Sequence, residues 1–291
     1  MLPLKDNIPT NRFPVVTVVF IAINIAFFVW QWAFPTDQGL NDVGLSEIDQ
    51  SALEYGAIPY RITHPGESGD CSLGAVRSDG SAGQFEAGVV CPGTPEFAEA
   101  EVTARQNPGQ GVEPIPLDQA PWYVTLFTSM FMHGGLLHIA FNLLFLWVFG
   151  NNIEDSMGRL KFVFFYLAAG LVAVYAQAAI DVNSTVPTIG ASGAVAGVLG
   201  AYALLHPSAR VLTLVFIIFF VTLVEVPAAI LLAIWFVLQF IPAIADATTT
   251  SVDGGEGVAY LAHVGGFIFG LATIRLLATR RRDPEPPLPV Y

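Results

Sequence analysis

The sequence predicts an all-α polytopic membrane protein with six membrane-spanning helices and a long extracytoplasmic loop after the first of them. Two features carry that expectation. Hydrophobic residues make up 54% of the 291 positions and charged ones only 12%, where a soluble domain carries about 25% charge. The apolar residues also gather into separate runs, several of them close to the ~20 residues that one bilayer crossing needs.

The net charge of −12 is concentrated in one place. Between Asp37 and Asp118 there are fourteen Asp or Glu and three Arg (Arg61, Arg77, Arg105), so that stretch alone carries −11. With no basic stripe outside the helix ends, the composition speaks against nucleic acid as a partner. The lipid bilayer is the expected surroundings.

Taken in order, residues 1–13 form a polar tail and residues 14–34 a continuous apolar run. That run is too long for the apolar core of a cleaved signal peptide and meets no small-residue cleavage site before Pro35, so it reads as a retained first helix. Residues 35–121 are rich in Gly, Pro, Ser and acid and lack sustained periodicity. An insertion of that length is either functional or partly disordered. Both cysteines, Cys71 and Cys91, lie in it. They form a disulfide if the loop faces an oxidising compartment and remain two free thiols otherwise, and they lack the paired spacing of a zinc site.

Residues 122–279 hold the remaining helices. The second span covers 126–150, a polar connection runs from 151 to 161, and the third span covers 162–180. A short Gly/Ala-rich fourth helix is expected over 189–205, a fifth over 228–241 and a sixth over 258–278. The intervening apolar run 211–224 is short for a crossing and reads as an interfacial or re-entrant piece. Charge decides this count. With six crossings Lys5, Arg12, Arg159, Lys161, Arg210 and the Arg280-Arg281-Arg282 cluster all fall on one side, as cytoplasmic flanks require. Both termini are then cytoplasmic, in a multi-pass protein expected in the plasma membrane. The connection 243–257 carries Asp246, Asp253 and Glu256 and no Lys or Arg, as an external loop should. Residues 280–291 form a basic, Pro-rich tail.

Polar residues inside apolar helices are costly and mark function. Ser192 opens a small-residue apolar stretch, His133, His138 and Asn142 lie within the second span, and His263 lies near the start of the sixth. In the six-helix topology these three helices run the same way. Ser192, about three residues into its helix, and His263, about five into its own, fall within roughly 10 Å of the outer boundary at ~1.5 Å per residue. His138 and Asn142 are one turn apart on one face. Small-xxx-small spacings, Gly193/Gly197 and Gly266/Gly270, allow two helices to touch, bringing Ser192 and His263 within reach of each other.

A neutral imidazole beside a hydroxyl is the arrangement of a base and its nucleophile. Donors for a developing oxyanion are available in the Asn142 amide, a His138 N–H and the backbone N–H of Ser192 at a helix start. No buried acid lies near enough in sequence to orient His263, so the pattern is that of a dyad within a membrane.

The motifs His133-Gly-Gly-Leu-Leu-His138-Ile-Ala-Phe-Asn142, Gly190-Ala-Ser192-Gly193 and Ala262-His263-Val-Gly-Gly266, supported by residues 150–158 and 3–9, resemble the rhomboid family of intramembrane serine proteases. The resemblance covers all six helices and omits most of the first loop. It implies a rhomboid-like bundle in which Ser192 is the nucleophile, His263 the base, and His138, Asn142 and the Ser192 amide the oxyanion contributors. Gly190, Gly193 and Gly266 are then accessory, His133 ties loop to helix, and Trp235 and Phe236 on the fifth helix flank lateral entry of a substrate helix. Substrates would be single-span or polytopic membrane proteins. No metal or cofactor is implied, and no signal of oligomeric state is present.

Two positions depart from the family pattern: Trp122 is followed by Tyr123 where members often have Arg, and Ala196 stands where some members stack an aromatic on the histidine. The alternative within the family is an inactive relative that binds transmembrane helices, against which the presence of both Ser192 and His263 argues. A transporter would need paired mid-membrane acids or broken helices in repeated halves, and a zinc protease its His-Glu-x-x-His motif. A soluble nucleophile elbow would need Gly where Ala194 stands.

Overall fold

The computed structural model describes residues 1–33, 40, 45–66, 69–77, 85–107, 113–180, 182–217, 220–248 and 259–279. The arginine cluster 280–282, the acids Asp253 and Glu256 and the Pro-rich tail, used above to argue topology, lie outside the described residues. Strand β1 (Leu2–Asp6) precedes α1 (Val15–Ala33), and the first loop contributes α2 (Glu47–Tyr55), α3 (Pro59–Thr63), β2 (Ser72–Arg77), β3 (Phe85–Val90), α4 (Pro95–Gln106) and β4 (Ile115–Pro116). Then come α5 (Trp122–Thr128), a 3-10 turn, α6 (Leu136–Met157), α7 (Arg159–Ile180), α8 (Ser192–Leu205), β5 (Arg210–Ile217), β6 (Phe220–Pro227), α9 (Ala228–Thr248) and α10 (Tyr260–Leu277).

The bundle is helical, as the composition requires. α1, α6, α7 and α10 are long and apolar enough to cross a membrane, and α8 and α9 are shorter apolar helices. α8 is the centre: every residue from Gly193 to Tyr202 is buried, which fits a helix apolar on all sides. Its 14 residues span about 21 Å, less than a ~30 Å hydrocarbon core. Its own Tyr202 and the surrounding Tyr166, Phe149, Phe162 and Phe165 are fully buried.

Polar ties fix how the helices alternate. Glu154, near the end of α6 and 3% exposed, accepts hydrogen bonds from Val16 N at 3.0 Å and from Thr17 N and Thr17 Oγ1, both at 2.8 Å. An acid borrowed from another helix thereby satisfies the free amides at the start of α1. Asp155 beside it accepts from Asn11 N at 3.1 Å. At the same end, Lys161 Nζ donates to Leu277 O at 3.2 Å and Thr279 N to Ser156 O at 3.0 Å. At the opposite end, Gln31 Oε1 on α1 accepts from His133 N ahead of α6 at 2.9 Å, and Ala262 N on α10 donates to Gln177 Oε1 on α7 at 3.3 Å. Because a charge-assisted acceptor is removed and three donors are left without a partner, Glu154→Ala should destabilise the fold by about 2–3 kcal/mol. Thermal unfolding in detergent measures this, and a Tm within a degree of wild type would refute the role.

The sequence reading departs from the structure in three places. The first is 211–224, read as an interfacial or re-entrant piece, which belongs to an antiparallel hairpin. β5 pairs with β6 from Arg210↔Pro227 to Ile217↔Phe220, and β1 adds on the other edge from Leu2↔Leu214 to Asp6↔Val211. Val, Thr, Leu and Phe dominate the run, and β-branched and aromatic residues suit a pleated strand better than a helix. An all-α description therefore holds for the bundle and not for this sheet.

The sheet carries a buried carboxyl. Asp6 Oδ2 accepts from Tyr202 Oη at 2.5 Å and from Asn152 Nδ2 at 2.6 Å, yet burial outweighs these donors and pushes the carboxyl up to about 6. The folded state thus holds this proton more tightly than the unfolded chain, whose Asp titrates near ~3.9. Its contribution to stability is complete below about pH 4 and is lost as pH rises through about 6. Between pH 4 and pH 8 the wild type should lose roughly 2–3 kcal/mol relative to Asp6→Asn. Parallel pH dependences of the two Tm values would contradict this.

The second departure is the first loop, which lacks periodicity in sequence and yet holds helices and strands among its described residues. β2 pairs antiparallel with β3 and β4, a disulfide joins Cys71 to Cys91, and Leu40, Leu53, Leu73 and Leu117 form a small core. Short strands closed by a cross-link give no pattern long enough to read. The third is where helices begin. Gly134 and Gly135 break the second span, so α6 starts at Leu136, and Gly190, at φ +125°, delays α8 until Ser192 itself.

Candidate active site

Ser192 is the first residue of α8 and His263 the fourth of α10. The helices carrying them meet backbone to backbone. A Cβ on Gly266 would strike the carbonyl of Gly193, and one on Gly270 the carbonyl of Gly197. A Cβ on Gly200 would strike the carbonyl of Phe267. That close approach brings His263 Nε2 to 2.7 Å from Ser192 Oγ, the distance of a strong hydrogen bond. His263 is 9% exposed, while Ser192 is half-buried and lines a cavity with Ser129, Thr188, Gly190 and Ala259.

The segment before Ser192 is held from several directions. Ala57 in the first loop bridges to Thr188 through a pair of backbone hydrogen bonds of 3.1 and 2.8 Å. Tyr60 N donates to Ser184 O at 2.9 Å, and Gly190 N donates to Ser129 O at 2.8 Å. The loop insertion is therefore docked on the strand of chain that delivers the serine.

His138 and Asn142 share one face of α6. Gly134 N donates to His138 Nδ1 at 3.3 Å, which leaves the ring proton on Nε2. That nitrogen and Ser192 Oγ flank the same glycine, since a Cβ built on Gly190 would lie 2.8 Å from the one and 3.4 Å from the other. The Asn142 amide donates one proton back to His138 O at 3.0 Å. His133 sits outside α6, fully buried, tied through its backbone to Gln31 and with its ring edge-on to His138 at 5.1 Å.

Trp235 and Phe236 lie on α9. The Trp235 ring packs against the His263 imidazole with centroids 6.0 Å apart, and Phe236 against Phe267 of α10 at 4.7 Å. Trp235 thus supplies, from the neighbouring helix, the aromatic contact for the histidine that Ala196 cannot make. Sequence reasoning missed one neighbour altogether: Gln239 Oε1 stands 2.7 Å from His263 Nδ1. An amide in an apolar run, one turn after Trp235, was the available signal.

A bundle of apolar helices with a serine hydrogen-bonded to a histidine inside it defines the class as a polytopic helical membrane protein that carries a buried polar pair. A family model described as "Rhomboid domain" matches residues 121–280, and the chain belongs to the rhomboid family. It is 42% identical over 83 residues to "Rhomboid protease GluP" of Bacillus subtilis, a match covering 28% of this chain and 16% of that protein. It is 30% identical over 164 residues to the mouse "Presenilin-associated rhomboid-like protein, mitochondrial", covering 55% of this chain and 40% of the relative. The yeast "Rhomboid protein 1, mitochondrial" is 29% identical over 153 residues, covering 51% and 40%. The chain thus spans less than half the length of each of these relatives.

Proposed function

We propose that the chain is an intramembrane serine endopeptidase that cleaves transmembrane-segment substrates. The single observation that supports this most is the 2.7 Å contact between Ser192 Oγ and His263 Nε2 at the head of a buried helix. His263 takes the Ser192 proton as the oxygen attacks a peptide carbonyl, then returns it to the leaving amine. The oxyanion that forms is met by the backbone N–H of Ser192, which at the first turn of α8 lacks an intrahelical acceptor. The His138 Nε2–H and the second Asn142 amide proton complete the set. Water then hydrolyses the acyl-enzyme.

The substrate would reach the pair laterally past Trp235 and Phe236 on α9, whose outer side presents exposed Ile230, Ile234, Val237 and Leu238. The membrane would be one whose loop side oxidises thiols, consistent with the bridged Cys71 and Cys91, and the termini would face the opposite compartment. Mitochondrial names among the relatives favour a mitochondrial membrane over the plasma membrane expected from sequence alone.

A fluorophosphonate probe applied to the purified protein in bilayers tests the nucleophile. Labelling of the wild type and its absence in Ser192→Ala are the expected results. Equal labelling of both would overturn the assignment, and no labelling of either would favour an inactive helix-binding relative.

A further inference from the structure

We infer that Gln239 is a positioning residue that fixes the proton of His263, so that the site works as Ser192, His263 and a neutral amide in line. The inference rests on the proposed hydrolysis and deepens it. Among the described residues, the partners of the two His263 ring nitrogens are Ser192 Oγ on one side and Gln239 Oε1 on the other, each at 2.7 Å. An amide oxygen only accepts, so Nδ1 must carry the proton and Nε2 must present its lone pair to the hydroxyl. A neutral imidazole without that acceptor divides its proton between both nitrogens. In the wrong form Nε2 donates to Ser192 and cannot deprotonate it.

The placement suits the surroundings. A carboxylate would do the same work with a buried charge that an apolar bundle disfavours, whereas an amide orients the ring at no cost in charge. Gln239 and Trp235 are four residues apart on α9, so one helical face holds the imidazole by both its edge and its ring. Among the titratable groups, His138 of α6 is the one that bears on His263. Pro242 lies three residues beyond Gln239 inside the same helix, and it removes an amide that Leu238 O would otherwise accept from. The turn carrying Gln239 is thereby the one whose helical bonding is interrupted.

Two measurements on the full chain in phosphatidylcholine/phosphatidylglycerol bilayers test this. Solid-state NMR of ¹⁵N-histidine protein, with His263 assigned by difference against His263→Ala, should show an Nδ1–H, Nε2-lone-pair tautomer. In Gln239→Leu that signal should split into both forms. An Nε2–H tautomer in the wild type, or an unchanged spectrum in Gln239→Leu, overturns the inference whatever the catalytic outcome.

With a single-span reporter, Gln239→Leu should lower kcat about 10- to 100-fold with KM within twofold, a smaller loss than that expected when an ionised orienting acid is replaced. Gln239→Glu should restore most of kcat and move the acidic limb of the kcat/KM profile upward by about one pH unit, because its charge favours the imidazolium. Wild-type kinetics and pH profile in Gln239→Leu, with Ser192→Ala inactive, would defeat the positioning role while leaving the protease reading intact. Equal cleavage by Ser192→Ala would defeat the protease reading, and the NMR result would still decide the tautomer.

Discussion

Ser192→Ala and His263→Ala should each lower cleavage of a single-span reporter by about 10³-fold or more if the chain is the proposed protease, and the double variant should be no worse than either single one. The expectation follows from geometry. At 2.7 Å the two side chains share one hydrogen bond, so in the proposed mechanism neither acts without the other and their losses should not add. Ser192→Ala should leave the bundle undisturbed, because Ser192 is half-buried at a helix start and the Gly193–Gly266 contact is formed by backbone. The measurement is turnover by quantified product release, with thermal unfolding recorded beside it. Losses that multiply in the double variant, or either single variant cleaving at the wild-type rate, would show that the two residues act independently.

A large loss of stability is expected at Gly266, one of three glycines through which α8 and α10 touch. A Cβ there meets the carbonyl oxygen and carbon of Gly193, and the backbone nitrogen of Gly197 lies 3.4 Å away. Backbone cannot rotate aside as a side chain can, so Gly266→Ala must lever α10 off α8. Overpacking of this kind costs about 3 kcal/mol or more. It also separates the helices one turn from His263, so cleavage should fall together with stability. Gly135→Ala serves as the contrast: its backbone is extended and nothing lies within 4 Å of the added carbon, so its effect should stay within about 0.5 kcal/mol. Comparable Tm values for the two variants would refute the close-contact account.

The bundle was legible because membrane helices advertise themselves by apolar length, and the meeting of Ser192 with His263 was legible because Gly193, Gly197, Gly266 and Gly270 recur at helical spacing. Helix starts were less legible. Gly190 could be seen in sequence, but its positive φ, which makes Ser192 the first residue of α8 rather than one three residues in, is set by its packing against His138. The hairpin of β5 and β6 was hidden because a run of Val, Leu and Phe satisfies a lipid-facing helix and a strand equally until pairing is known. The first loop was hidden because its order comes from a cross-link and from docking on Ser184 and Thr188, neither of which leaves a period. Gln239 was passed over because a single amide in an apolar run gives no hint of what it will face.

The pairing of β1 with β5 bears on how the chain is made. Leu2 aligns with Leu214, so β1 has no strand to pair with until more than two hundred further residues have been synthesised, four apolar helices among them. Contacts of such sequence separation form late and slowly. Assembly would therefore finish by fastening its earliest residues. A bulky fusion placed ahead of Leu2 would interfere with that final step more than one placed after the sixth helix.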